Sequence, residues 1–408
     1  MIRLASVLTL FFVWRAAAMD WPRLLGPGFD NTSQETNIAN TWPLREPPVL
    51  WKFRTGQGWS GPVVASNRVL VFHRLDDRET LDCLNATNGA RLWRAGYLAN
   101  YRDDFGFDEG PRATPTIDGT RVFTLGANGV LHCWDIANGS NVWRIDTRKE
   151  FGADKGFFGI ACSPLVVGEA VILNPGGSGG TGVVALDKRD GKLLWKATDQ
   201  GASYSSPIVA TIAGERMVLV LARTALVALR VDSGKELWKF PFRPSINSSV
   251  SAASPLVAGD QVFISASYGA GAAVLQITEG KPEVAWSGDD ILSNHYATSV
   301  YHGGFLFGFD GRQEQRCNLR CVEWKSGKIR WNEDRFGAGT LLLARDTLLI
   351  LTERGELIVA RATPERFSPL ARAQILGSEC RAYPALANGL FYARDKAMLV
   401  CVDLRLSK

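Results

Sequence analysis

The sequence predicts an all-β fold: an eight-bladed β-propeller of four-stranded antiparallel blades, closed by an N-terminal strand that joins the C-terminal blade. Three observations carry that prediction. The first is a ten-residue unit, LNATNGARLW (Leu84–Trp93), which returns as WDIANGSNVW ending at Trp143, LDKRDGKLLW at Trp195, LRVDSGKELW at Trp238 and VEWKSGKIRW at Trp331. A longer copy, LQITEGKPEVAW, ends at Trp286. The second is the spacing of the turn glycines: Gly89, Gly139, Gly191, Gly234, Gly280 and Gly327 lie 50, 52, 43, 46 and 47 residues apart, the period of one propeller blade. The third is a set of eight hairpin-like segments, beginning near Val63, Thr116, Val166, Val209, Leu256, Val300, Leu342 and Ala385, each with polar or glycine residues between two apolar runs.

Taken in chain order, residues 1–18 read as a secretory signal peptide. Arg3 is followed by the apolar run Leu4–Trp14 and the small residues Ala16–Ala18. That run is too short to span a bilayer, and no later segment reaches the ~20 apolar residues a spanning helix needs. No cysteine sits just after the leader, so a lipid anchor is not expected. The protein is read as exported to the periplasm or cell envelope, soluble and monomeric. Residues 19–48 form an N-terminal extension and 49–408 the propeller.

Within each blade the hairpin supplies two strands, a third precedes the turn glycine and a fourth carries the tryptophan. The indole should cover the blade's flank against its neighbour, because Trp buries the most area per residue. Asn85, Asp135 and Asp187, four residues before the glycine, have short polar side chains suited to bonding the N–H groups of a tight turn. Blade seven, with TPERFSPL (Thr363–Leu370), lacks both glycine and tryptophan and is expected to be the loosest. The last blade stops at Lys408, where its turn should fall, while Trp51 in VLWKF (Val49–Phe53) has no blade of its own. Pairing the two ends closes the ring and removes exposed strand edges. The structural tryptophans are thus Trp51, Trp93, Trp143, Trp195, Trp238, Trp286 and Trp331.

The formal charge of +5 is scattered along the chain, which argues against nucleic-acid binding. Cys83, Cys133 and Cys321 each stand ten residues before a repeat tryptophan, where other blades have Ala185 and Ala228. Cys401 takes the same slot in the last blade. They read as reduced packing residues, and Cys317 with Cys321 as a structural pair.

The Asp/Asn-x-x-x-Gly-x-x-x-Trp repeat resembles the tryptophan-docking motif of the PQQ-like (pyrroloquinoline quinone repeat) β-propeller family, over six copies and from Trp51 to Asp403. That family includes quinoprotein alcohol dehydrogenases and BamB-like outer-membrane protein assembly factors. DWPRLLGP (Asp20–Pro27) followed by Trp42–Pro43 also looks like the opening of its exported members. The likeness is nearer to the BamB-like, non-dehydrogenase branch, although members of that branch are usually lipid-anchored. It implies a binding scaffold in the cell envelope with a protein partner and no cofactor.

The alternative that the resemblance implies is a small PQQ-dependent dehydrogenase oxidising alcohols or sugars, with Ca²⁺ and with Asp108 or Glu109 nearby. The family's enzymes clamp PQQ between a tryptophan and a disulfide of adjacent cysteines; no two cysteines are adjacent here. The acidic pairs Asp103–Asp104, Asp108–Glu109 and Asp289–Asp290 match no ligand motif. The histidines His73, His132, His295 and His302 are isolated, without zinc spacing, and His132 reads as a satisfied core residue. The glycine-rich loop Asn174–Gly182 joins two strands instead of opening a helix, so it reads as a hairpin loop, not a phosphate cradle. No metal site and no catalytic residue are assigned.

If a ligand binds, it should bind on the axis, where the segments entering the innermost strands converge: Gln57–Gly61, Asp108–Thr114, Ile160–Ser163, Ser203–Ser206, Asn247–Ser251, Asn294–Thr298, Phe336–Gly339 and Cys380–Tyr383. The candidate funnel residues are Trp59, Asp108, Glu109, Arg112, Tyr204, Asn294, His295, Tyr296 and Arg381, a mixture of aromatic and polar groups suited to a pocket. The competing explanation for Asp108, Glu109 and Arg112 is an ion pair that orders their loop.

Overall fold

The computed structural model describes residues 19–42, 46–246 and 249–406; the leader assigned to residues 1–18, and Asn247 and Ser248, lie outside them. Eight antiparallel sheets stand around one axis. Blades one to eight comprise 63–98, 116–146, 165–197, 208–241, 256–288, 300–333, 339–374 and 385–403. The strand Val49–Arg54 completes blade eight by pairing with Met398–Asp403, with Trp51 opposite Cys401 and Lys52 opposite Val400. The ring is therefore closed by both ends of the chain.

The cysteine–tryptophan register has a simple cause. Cys83, Cys133, Ala185, Ala228 and Cys321 lie directly across the sheet from Trp93, Trp143, Trp195, Trp238 and Trp331. A small residue there leaves room for the indole to fold over its own sheet. In each pair the register slips by one residue at that point, and such a bulge bends the outer strand and re-aims the side chain. All seven cysteines are free and buried, and burial pushes the Cys83, Cys133 and Cys321 thiols up to about 12.

Each indole then docks on the next blade. The Nε1–H groups of Trp51, Trp93, Trp143, Trp195 and Trp286 donate to the backbone oxygens of Ala86, Ile136, Lys188, Val231 and Trp324. Each acceptor lies three residues before a turn glycine. The glycine itself sits against the ring: a Cβ on Gly89 would stand 2.7 Å from Trp51, and one on Gly234 2.4 Å from Trp195. These glycines have φ near +70°, so both the backbone and the ring exclude a side chain. The turns are fastened as expected, the Asn85, Asp135 and Asp187 carboxyl or amide oxygens accepting from the N–H groups of Thr87, Ala137 and Arg189.

Blade seven departs from its sequence expectation. Leu341, Leu342, Leu348–Leu351 and Leu357–Ala360 are fully buried. Thr32–Ser33 of the N-terminal extension adds a fifth, parallel strand beside Gly339–Ala344. Trp331 still docks, donating to the Thr363 oxygen and packing 5.8 Å from the Phe367 ring. Phe367 takes the place of the turn glycine under the Trp331 ring and the extra strand covers the blade's inner edge, so the blade is not poorly packed. Among the described residues no helix is long and apolar enough to cross a membrane.

Candidate axial binding site

The innermost strands begin at a repeated pair that the sequence reading passed over. Gly61-Pro62, Thr114-Pro115, Ser163-Pro164, Ser206-Pro207, Ser254-Pro255 and Tyr383-Pro384 occupy equivalent positions. Proline holds the residue before it extended, and the hydroxyls form a belt around the axis. The Gly61 N–H donates to Thr114 Oγ1 (3.1 Å), Thr114 N–H to Ser163 Oγ (2.9 Å), Ser163 N–H to Ser206 Oγ (2.8 Å) and Ser254 N–H to Thr298 Oγ1 (2.9 Å). Blades two, three, four and six thus each satisfy a buried donor of the preceding blade.

One end of the axis is closed by the extension. Trp21 exchanges two 2.8 Å hydrogen bonds with Val64 of blade one, and the Pro22 oxygen accepts from Ile117 of blade two. Leu24 and Phe29 lie against the inner-strand starts of blades three and four, and Asn31 Nδ2 donates to the Leu341 oxygen of blade seven. The axial space is consequently a blind funnel with Leu24 on its floor.

Above that floor is a cavity of about 160 Å³. Six of the nine predicted residues line it: Trp59, Arg112, Tyr204, His295, Tyr296 and Arg381. Asp108, Glu109 and Asn294 do not, and the reason is the same for each: local partners hold them. The two Asp108 carboxylate oxygens accept from Gly58 N–H and Gly110 N–H. Glu109 turns outward to Arg102 and Arg74. Asn294 is buried, donating to the Phe309 oxygen and accepting from Ser299.

The wall is built on Trp59. The Arg112 and Arg381 guanidiniums each lie 4.9 Å from its ring, one from each flanking blade. Arg112 pairs with Asp103 at 3.2 Å, not with the neighbouring carboxylates of its own loop. Asp103 in turn accepts from the N–H groups of Phe105, Phe107 and Asp108. Arg381 Nε stands 2.8 Å from Glu353 Oε1, an ion pair with poor hydrogen-bond alignment, and Tyr296 O–H donates to the same oxygen at 3.0 Å. Burial depresses His295 to about 4, so its imidazole is neutral, with Nε2 3.0 Å from the Tyr268 hydroxyl.

His73, His132 and the glycine-rich loop are structural. His73 Nδ1 accepts from Gly56 N–H, and Nε2 meets Asp82 at 2.9 Å in the core. His132 stacks between the Tyr97 and Trp134 rings in the core, its Nδ1 lacks a well-aligned hydrogen-bond partner, and burial lowers its pKa to about 4. Asn174–Gly182 links two strands of blade three through Gly176–Gly182 and Gly177–Thr181 bonds.

Sequence reasoning missed the mouth. Phe107 and Phe158 line the cavity, and with Phe105 and Phe157 they form one cluster, ring centroids 5.2 to 6.3 Å apart. Phe105, Phe107 and Phe157 are 51%, 53% and 37% exposed. The phenylalanine-rich loops FGF and FF were visible in the sequence as apolar residues outside any strand pattern.

A model of the family described as "Outer membrane protein assembly factor BamB" matches residues 77–333. The chain belongs to the BamB family of PQQ-like β-propellers. Two BamB relatives frame the match: the protein of Burkholderia pseudomallei is 29% identical over 41% of this chain and 40% of its own length, and that of Shewanella oneidensis 27% over 69% and 71%. The chain thus spans less than half of the first relative. The solved BamB of Moraxella catarrhalis superposes with a TM-score of 0.65 at 14% identity, covering 89% of this chain and 99% of that one. A quinohemoprotein alcohol dehydrogenase from Comamonas testosteroni gives 0.68 at 14%, covering 96% and 81%. Identity that low establishes a shared propeller and nothing about shared chemistry.

Proposed function

We propose that this BamB-family chain is an exported, non-catalytic propeller that holds a protein partner in the cell envelope, in the outer-membrane protein assembly for which its relatives are named. The observation that carries this reading is the phenylalanine platform at the funnel mouth. Exposing large apolar rings costs solvation free energy, and contiguous exposed apolar patches mark interaction sites. The platform is also held in place before any partner arrives. Asp103 fixes the first loop, the Tyr204 hydroxyl accepts from Phe157 and Phe158 N–H, and Lys155 Nζ bonds Asp104 across the two loops at 2.6 Å. A preordered aromatic patch spares a partner the entropy of ordering it, the usual property of interface anchors.

The quinoprotein alternative finds less support in this funnel. Ca²⁺ wants several oxygen ligands, whereas Asp103, Asp108 and Glu353 are each committed to cations or backbone N–H groups. Among the described residues no three acidic, histidine or cysteine side chains gather as a metal site. Guanidiniums already lie over the Trp59 ring. The residues do not fit PQQ with Ca²⁺.

The test is a photo-crosslinker at Phe157 in cells expressing the full chain. The expected product is a covalent adduct with an outer-membrane assembly protein, identified by mass spectrometry and lost when Phe105→Ser is added. An adduct that survives Phe105→Ser, or none at all, would refute the platform.

A further inference from the structure

The cavity beneath the platform has features that a protein-docking surface does not need. It is blind, floored by Leu24, and its walls are mainly rings: Trp59, Tyr204, Tyr296 and Phe158. One strong donor group is left over inside it. Arg381 is anchored on both sides, by Glu353 at Nε and by the Trp59 ring, yet among the described residues its two terminal nitrogens have no hydrogen-bond partner, and its side chain keeps 22% of its exposure within the cavity wall. Arg112, by contrast, spends both terminal nitrogens on Asp103 and on the Gly110 and Asp108 backbone oxygens, leaving only its buried Nε without a partner. A guanidinium fixed in place with both terminal nitrogens open matches the two oxygens of a carboxylate.

The size sets the rest of the ligand. The funnel holds about 160 Å³ beneath its open mouth, comparable to the roughly 150 Å³ apolar cavity that accepts a benzene ring; a larger ligand would protrude through the mouth. Glu314 lies on the solvent-exposed rim, so a carboxylate is repelled at the mouth and is best placed inward, at Arg381. We propose that the axial cavity is a binding site for a small carboxylic acid bearing a single aromatic ring, with the ring among Trp59, Tyr204 and Tyr296 and the carboxylate on the Arg381 terminal nitrogens. This site adjoins the partner surface: Phe107 and Phe158 belong to both, whereas Phe105 and Phe157 belong to the platform and do not line the cavity.

Calorimetry on the full mature chain tests it, with phenylacetate, its neutral isostere phenylacetamide, and acetate as probes. Phenylacetate is expected to bind saturably at one per chain. Phenylacetamide should bind at least about tenfold more weakly, as loss of a charge-assisted hydrogen bond implies, and acetate should give no signal. Arg381→Gln should remove the preference for phenylacetate over the amide. Ala252→Phe, which fills the cavity from its wall, should abolish binding of both. Phe105→Ser should change neither affinity, which separates failure here from failure of the platform. Thermal unfolding checks that each variant is folded, and if Arg381→Gln is not, Ala252→Phe decides. Absence of phenylacetate binding, equal affinity for acid and amide, or unchanged binding in Ala252→Phe would each overturn the assignment.

Discussion

Gly89 and Gly280 occupy the same turn in blades one and five and have the same left-handed backbone, φ +71° and +74°, yet only one of them is touched. A Cβ on Gly89 would meet the Trp51 ring at 2.7 Å; a Cβ on Gly280 would meet nothing within 4 Å. The indoles that should dock there differ in the same way. Trp51 donates to the Ala86 oxygen at 3.0 Å, whereas Trp238 is buried with its Nε1 unpartnered. The corresponding acceptor, the Ile277 oxygen, receives the Gln276 side chain instead. Blade five is the one whose turn-to-tryptophan segment is two residues longer. The difference teaches that the repeat is a record of contact between blades: where the contact lapses, so does the motif.

Substitutions can break this comparison. The largest effect is expected at the seam, where Trp51→Ala should cost about 3–5 kcal/mol as a buried aromatic truncation and should cost more than Trp238→Ala, which loses no hydrogen bond. Urea unfolding of the two variants measures it; equal losses would show that docking geometry does not matter. Next comes the glycine pair. Gly280→Ala should cost about 1–2 kcal/mol, the left-handed backbone penalty alone, and Gly89→Ala about 2–4 kcal/mol, because a rigid buried ring must also move.

The smallest effect separates the rim from the axis. The docked indoles donate only to backbone oxygens, whereas His295 beside the cavity is held neutral, at about 4 against 6.5 in the unfolded chain. Between those values the unfolded state binds more protons, so this contribution is complete above pH 6.5 and is lost as pH falls toward 4. From pH 6.5 to 5 it amounts to about 1–2 kcal/mol. Melting temperatures should fall less steeply with acid in His295→Phe than in the parent; identical slopes would place the acid sensitivity elsewhere.

The rim was legible because a contact repeated six times writes a pattern. Glycine, tryptophan and the small residue across from it mark the blades, and the orphan Trp51 located the seam. Blade seven was misread because Phe367 and Thr32–Ser33 act through space from unlike sequence. The hub was half legible: the Xaa-Pro pairs were there to be counted, but only coordinates show their hydroxyls meeting. On the axis each blade contributes a different side chain, so there is no period to read. Position picked out Trp59 and Arg381, but it could not tell that Asp108 spends both oxygens on backbone N–H groups or that Arg112 chooses Asp103.

The central functional claim is that the funnel is a binding site and not a quinone centre. Titration of the mature chain with PQQ in the presence of Ca²⁺, followed by dye reduction with alcohols and sugars, tests it directly. The expected result is no saturable, Ca²⁺-dependent binding and no substrate-dependent reduction. One PQQ bound per chain with alcohol-dependent dye bleaching would contradict it.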